Sequence, residues 1–302
     1  MATKIRGTQS LIGSVGRCFE RPSVIGLELF WRWAFGLPAL LLCYHTLKQI
    51  LASAPLESLG YDRLTWLDLW GSAAILANIG DALRGPIIAA FLRLAPWLAL
   101  VWIVFAAVGR NAVLRRWDRT LPWRPLSLII LQALRLASVA AICWLWECGV
   151  QAAAKSAFVN TTDPDLLAYI VRVICLTLGL FSLWLFISWP LTIAPLLVLA
   201  ERRSVVSALV RSLSLGRELS SKLTEVNLVM GIVTLALIVL ALVLSSFPLP
   251  FQTALTPEYI FWWNIGTIAL FFAVSNVFQV ARAINFLELW RAYYVEEISK
   301  LT

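Results

Sequence analysis

Several uninterrupted apolar runs constrain this chain more than any other feature of its sequence. A helix needs roughly 20 apolar residues to cross the hydrocarbon core of a bilayer, and the runs reach that length. Of the 302 residues, 60% are hydrophobic and only 14% are charged, whereas soluble domains carry about 25% charged residues. Polar surface is therefore too scarce for a soluble globule. The sequence predicts an all-α, polytopic helical membrane protein.

About six transmembrane helices are predicted, all within a single integral membrane domain over residues 1–302. The predicted spans are about 26–47, 86–108, 126–148, 167–189, 225–246 and 259–281. Pro86 is expected to open the second span, since proline is tolerated in the first helical turn. Residues 64–84 are ambiguous, because Asp68 and Asp81 interrupt an apolar face that includes Trp66. A surface or partly re-entrant helix is favoured there over a seventh span.

The basic residues indicate which way the chain crosses the membrane. Seventeen of the 25 fall on one side of the six spans, and lysine and arginine accumulate in cytoplasmic loops. These residues are Lys4, Arg6, Arg17, Arg21, Arg110, Arg115, Arg116, Arg119, Arg124, Arg202, Arg203, Arg211, Arg217, Lys222, Arg282, Arg291 and Lys300. The sequence predicts a multi-pass protein of the inner (plasma) membrane with both termini in the cytoplasm.

Two segments outside the spans have the pattern of interfacial amphipathic helices. Residues 11–19 place Leu11, Cys18 and Phe19 on one face and are expected to end near Pro22, with no cleaved signal peptide. The loop 201–223 has a broad apolar face with basic flanks, and Gly216 is predicted to end its helix. Before this loop, Pro190 and Pro195 are expected to kink or break the fourth helix as it bends onto the membrane surface.

The same region carries a family resemblance. The run Pro195-Leu-Leu-Val-Leu-Ala-Glu201, followed by Ser204, Ala208-Leu209, Arg211-Ser212 and Leu215-Gly216-Arg217, resembles the membrane domain fused to some glycerophosphodiester phosphodiesterases and its stand-alone bacterial relatives. This resemblance implies about six spans and a proline-ended helix before an amphipathic one. The chain lacks the soluble phosphodiesterase domain of the fused members. The resemblance therefore implies an envelope protein without hydrolase activity.

Two arginines deep inside predicted spans are the candidate binding residues. Arg93 and Arg135 lie roughly 10–14 Å from the nearer span end at 1.5 Å per residue. A charge at the bilayer centre costs about 2.5–3.5 kcal/mol on insertion scales. They are predicted to contact an anion or lipid in a cavity between helices; pairing with Glu147 or backbone carbonyls is the alternative. Glu28 and Arg32, four residues apart, are predicted to pair with each other.

Chemistry-bearing motifs are absent from the sequence. The five cysteines are scattered and His45 is the single histidine, so no metal site or cofactor is predicted. No nucleotide-binding or hydrolase motif occurs, and no nucleic-acid partner is expected. We predict a non-enzymatic inner-membrane protein of envelope or assembly type, with lipids and other membrane proteins as partners. A small-solute or lipid transporter and an accessory subunit of a larger membrane complex are the alternatives.

Overall fold

The computed structural model describes residues 7–63, 65, 68–159, 165–214, 217–246 and 256–301. Within these ranges every regular element is helical. Six of the helices are long and apolar enough to cross a membrane. The predicted fold class, an all-α polytopic membrane protein, is confirmed.

Eight α-helices make up most of the described chain. They are α1 (Gly7–Glu20), α2 (Pro22–Ser53), α3 (Leu69–Trp117), α4 (Pro125–Ala154), α5 (Leu166–Ala200), α6 (Val205–Leu213), α7 (Arg217–Ser246) and α8 (Pro257–Leu301). A 3-10 turn at Tyr61–Arg63 and a π-helical turn at Lys155–Val159 complete the elements. The candidate membrane helices are α2, α3, α4, α5, α7 and α8, and each predicted span lies inside one of them.

The start of the second membrane helix differs from the prediction. Pro86 does not open it, because α3 runs without interruption from Leu69 to Trp117 with Pro86 inside. The carboxylate of Asp68 accepts a hydrogen bond from the Gly71 amide at 2.9 Å, so this acid caps the helix rather than interrupting it. Residues 69–84 are therefore the first turns of α3 and not a separate surface helix, while Trp66 lies outside the described residues. At 1.5 Å per residue α3 is about 74 Å long, much more than a bilayer requires.

The prolines of α5 do not break it. Pro190 and Pro195 both lie inside the continuous helix Leu166–Ala200. The last turns of α5 are buried in the protein, with Ala194 and Val198 fully inaccessible, instead of bending onto a surface. Packing of the surrounding core allows this helix to tolerate both prolines.

The described helices form two compact units. One consists of Phe30–Ala106, and the other of Met1–Leu29 together with Ala107–Thr302. This division does not test the prediction that residues 1–302 form a single integral membrane domain, which stays a prediction. In the smaller unit, Trp102 packs against Trp31 and Phe35 with ring centroids 5.7 and 5.1 Å apart, and such aromatic pairs join α2 to α3.

The larger unit has a continuous apolar core. It draws buried residues from the end of α3, the start of α4, the end of α5, the start of α7 and the second half of α8, and from α1 and α6. Examples are Leu114, Leu131, Leu197, Val226 and Leu287. Beyond this core, the membrane helices of the unit expose most of their apolar side chains. The core therefore holds together the segments that carry most of the arginines.

Both predicted amphipathic segments are helical, but they are oriented differently from the prediction. On α1, Leu11, Ser14 and Cys18 are buried, whereas Phe19 is exposed. On α6, Ala208 and the polar Ser212 are buried. Hydrophobicity alone predicts Ser14 on the polar side of α1, opposite Leu11 and Cys18. The structure buries Ser14 instead, because its small side chain permits close helix packing. Helix α6 ends at Leu213, and Gly216 lies outside the described residues.

Candidate functional site

One stretch of α8, residues 285–291, holds α1 in place. The Asn285 side-chain oxygen accepts a hydrogen bond from the Ser10 hydroxyl. Three residues on, Glu288 accepts from the Ser14 hydroxyl at 3.2 Å and pairs with Arg17. Residues three apart share a helix face, so this face of α8 binds α1 with a charged and a neutral contact.

The next residues of α8 bind the ends of α5 and α3. The Trp290 indole nitrogen donates to Glu201 at 3.1 Å, and Glu201 also pairs with Arg203. Arg291 pairs with Asp118, which follows α3. Glu201 and Asp118 are thus each paired with an arginine. The contacts of Trp290 and Arg291 hold the ends of α5 and α3 against α8.

The turn between α5 and α6 is held by a third contact. Arg202 has a φ of 54°, a left-handed conformation that is uncommon for residues other than glycine. The guanidinium of Arg124 donates to the carbonyls of Arg202 and Arg203 at 2.8 and 3.2 Å. These bonds stabilise the turn that connects α5 to α6.

Arg21 makes the corresponding contact at the end of α1. Its guanidinium donates to the Trp117 carbonyl at 3.0 Å and lies over the Trp117 ring, 4.9 Å from the centroid. A cation over an indole face is attracted by the ring electrons. Hydrogen bonds and ion pairs therefore connect several segments within the larger unit, namely those around residues 21, 117, 124, 202 and 291.

The two arginines predicted as an anion or lipid site fall in different units. Arg93 belongs to the smaller unit and is exposed on α3. Arg135 belongs to the larger unit and is half-buried on α4. The alternative partner Glu147 accepts a hydrogen bond from Gln151 at 2.7 Å. Among the described residues, neither arginine makes a hydrogen bond or an ion pair.

The sequence reasoning missed a second half-buried arginine on a membrane helix. Arg282 on α8 is half-buried, as Arg135 on α4 is. Its guanidinium lies over the Phe286 ring, 5.3 Å from the centroid. The signal available in the sequence was a single arginine inside an otherwise apolar stretch of α8, which charge counting had assigned to a loop.

Helices α1 and α6 also expose apolar side chains outside the predicted spans. The α6 row consists of Val206, Val210 and Leu213, which are 71%, 62% and 71% exposed. The α1 row consists of Ile12 and Phe19. Positions separated by three, four or seven residues align along one helix face. Each helix is thus buried on one side and carries large apolar side chains on its exposed side.

The buried face of α1 contains a thiol with perturbed chemistry. The pKa of Cys18 is raised to about 11, mainly because burial removes water from the thiol; the charge of Glu288 adds to this rise, and the charge of Arg17 opposes it. The thiol therefore stays protonated at neutral pH. Across the described residues, no group of three or more histidine, cysteine, aspartate or glutamate side chains could hold a metal ion.

Comparison with known proteins adds no relative. No protein-family model, no curated protein and no solved structure matches the chain. The resemblance to the membrane domain of glycerophosphodiester phosphodiesterases stays a prediction.

Proposed function

We propose that this chain is a non-enzymatic, multi-pass protein of the inner membrane that has an envelope or assembly role. It acts by contacting lipids and other membrane proteins from the cytoplasmic side, where both of its ends lie. The observation that carries the proposal is the pair of exposed apolar rows on α1 and α6, two helices that lie outside the predicted spans.

Contacts within the larger unit support the orientation. Charge counting puts the segments around residues 21, 117–124, 202 and 291 on the same side of the membrane. Arg21 bonds to Trp117, Arg124 to the carbonyl of Arg202, and Arg291 to Asp118. Segments that bond to one another cannot lie on opposite sides of a bilayer, so the charge pattern and the packing agree.

The exposed rows are suited to the membrane interface. Interfacial helices bury an apolar face at the boundary between headgroups and acyl chains, with basic residues beside it. Arg202 lies just before α6 and is exposed, and anionic headgroups attract such a charge by about 1 kcal/mol. The α6 row therefore has both an apolar surface and the charge complementarity that a lipid leaflet requires.

The test is an environment-sensitive fluorophore on α6 in phosphatidylglycerol-containing nanodiscs. A label at Val210→Cys should be blue-shifted and quenched by doxyl-labelled lipids, whereas the same label at Arg119→Cys, in the exposed loop between α3 and α4, should report water. An unshifted, unquenched label at position 210 would refute lipid contact by α6. A blue shift without lipid quenching would mean that protein, rather than lipid, covers the row.

A transporter is the second candidate, favoured by the half-buried charge of Arg135 on a membrane helix. It predicts that Arg93→Ala and Arg135→Ala abolish solute flux in vesicles while the protein still inserts. Unaltered flux in both variants would remove this candidate. An accessory subunit would instead co-purify stoichiometrically with its complex in mild detergent.

A further inference from the structure

We propose that Arg21 and Arg116 together bind the phosphate of an anionic lipid headgroup in the cytoplasmic leaflet. They lie within the larger unit, where the junction between α1 and α2 meets the end of α3. The site rests on the proposed function, because it needs this face of the protein to lie at the membrane. It deepens that function by naming the chemistry of the bound lipid.

Two hydrogen bonds that run in opposite directions place both arginines in one seam. Arg21, on the junction between α1 and α2, donates to the carbonyl of Trp117 at 3.0 Å. Arg116, the residue before Trp117, donates to the hydroxyl of Ser23 at 3.3 Å. Each guanidinium thus reaches the chain segment that carries the other arginine, so both positive groups lie in the seam between the two segments.

These contacts leave hydrogen-bond donors of both arginines available. Arg21 uses one terminal nitrogen for the carbonyl, and its guanidinium carbon lies over the Trp117 ring, 4.9 Å from the centroid. Arg116 uses only its Nε. Both side chains are exposed. The planar fork of arginine donates parallel hydrogen bonds to phosphate oxygens, so the remaining terminal N–H groups are suited to a phosphate bound at the seam.

The seam carries a positive charge that the protein does not balance. Both arginines contact neutral acceptors, a carbonyl and a hydroxyl. Asp118, the acid nearest to Arg116 in sequence, is paired with Arg291. Among the described residues, Arg21 and Arg116 form no ion pair, and neither does Glu20, the acid beside Arg21. An anion is therefore the complementary ligand.

The depth of the seam favours lipid phosphate over a soluble anion. Ser23 and Arg21 precede the predicted start of the first span at residue 26 by three and five residues, or roughly 4.5 and 7.5 Å along a helix. The headgroup layer is roughly 5–7 Å thick on each side of the bilayer. The bond to Ser23 therefore draws the guanidinium of Arg116 to headgroup depth. The indole of Trp117, against which Arg21 packs, favours the same layer.

The experiment measures thermal unfolding of the full chain in phosphatidylcholine nanodiscs with and without phosphatidylglycerol. Phosphatidylglycerol should raise the unfolding temperature of the wild type, and Arg21→Gln and Arg116→Gln should each lose at least half of that rise. Because the rise is taken within each variant, a general loss of stability from the broken hydrogen bond does not enter it. Arg119→Gln is the matched control, since it removes an exposed arginine from the nearby loop and should keep most of the rise.

Three results would overturn the site. An undiminished rise in Arg21→Gln and Arg116→Gln would show that they do not bind the headgroup. Equal losses in these variants and in Arg119→Gln would show that any positive charge on this face serves. Stabilisation by inorganic phosphate in pure phosphatidylcholine, without a response to phosphatidylglycerol, would assign the pair to a soluble ion.

Two further measurements keep the proposal testable. Where a glutamine variant fails to insert, Arg21→Lys and Arg116→Lys decide. Lysine keeps the charge but not the fork, so at least threefold weaker phosphatidylglycerol retention is expected in native mass spectrometry, and unchanged retention would refute the site. The label at Val210→Cys, read in the same nanodiscs, separates the two proposals: lipid quenching there without a phosphatidylglycerol-dependent rise would remove this site and leave the proposed function standing.

Discussion

At the scale of single residues, Cys18 shows how an acid–base property follows from packing. It lies on the buried face of α1 with Leu11 and Ser14, close to the carboxylate of Glu288. A thiolate there would lose its water and face a negative charge, so the neutral thiol is favoured. The pKa of about 11, against an ordinary value of 9.0, expresses both effects.

The first prediction concerns the reactivity of this thiol. With the other four cysteines replaced by serine, alkylation of Cys18 by iodoacetamide should be slow at neutral pH and should rise with a midpoint near pH 11. A shift of two units leaves about a hundredfold less thiolate at a given pH below both values. The contribution of the neutral thiol to stability is fully present below about pH 9 and is lost as the pH rises through 11.

The control places a thiol on the opposite face of the same helix. Gly16 is exposed, and a Cβ there would meet no atom within 4 Å. Gly16→Cys in a Cys18→Ser background should alkylate with an ordinary midpoint. If Cys18 reacts as fast as this control at pH 8, α1 does not pack against α8 as described.

At the scale of the elements, α4 and α5 approach each other closely at Gly149. A Cβ on Gly149 would lie 2.4 Å from a terminal methyl carbon of Leu176. Nearby, the Trp146 indole nitrogen donates to the Thr177 hydroxyl at 3.0 Å. Small residues at such positions let membrane helices pack by van der Waals contact, so this glycine sets the spacing of the pair.

The second prediction tests this contact with two matched alanine substitutions. Relative to Gly179→Ala, Gly149→Ala should lower the free energy of unfolding by about 1–3 kcal/mol, because the new methyl group forces Leu176 to move while both substitutions gain the same preference for helix. Gly179→Ala on α5 meets nothing within 4 Å and should be neutral or stabilising by up to about 1 kcal/mol, since alanine favours helix. Denaturant unfolding in nanodiscs measures both.

A double-mutant cycle then separates a steric clash from a general loss of helix stability. In the Gly149→Ala background, Leu176→Ala should cost less than it does alone, because it removes the clashing atoms. Equal costs in the two backgrounds would mean that α4 and α5 do not meet at this glycine.

The membrane helices also show which features an apolar sequence pattern can predict and which it cannot. Length and apolarity placed all six membrane helices, because a bilayer leaves few alternatives to a long apolar helix. The same reasoning misjudged Asp68, whose role as a helix cap depends on local hydrogen bonding, and Pro190 and Pro195, whose effect depends on the packing around them. Arg135 was identified as an interior charge, whereas Arg282 was counted with a loop, because α8 continues well past residue 281, where the sixth span was predicted to end.

At the scale of the whole molecule, the charge asymmetry and the packing of the larger unit make a joint prediction. The loop between α3 and α4 and the turn before α6 are connected by the bonds of Arg124 to the carbonyls of Arg202 and Arg203. These two loops must therefore lie on the same side of the membrane, whichever side it is. The excess of arginine in both loops predicts that this side is the cytoplasmic one.

Single-cysteine labelling in intact spheroplasts tests the two parts of this prediction separately. An impermeant maleimide should label Glu57→Cys and Lys155→Cys from outside, and should label Arg119→Cys and Ser214→Cys only after permeabilisation; all four positions are exposed. External labelling of both Arg119→Cys and Ser214→Cys would reverse the orientation while leaving the packing intact. External labelling of only one of them would contradict the packing itself, because the bonded loops would then lie on opposite faces of the bilayer.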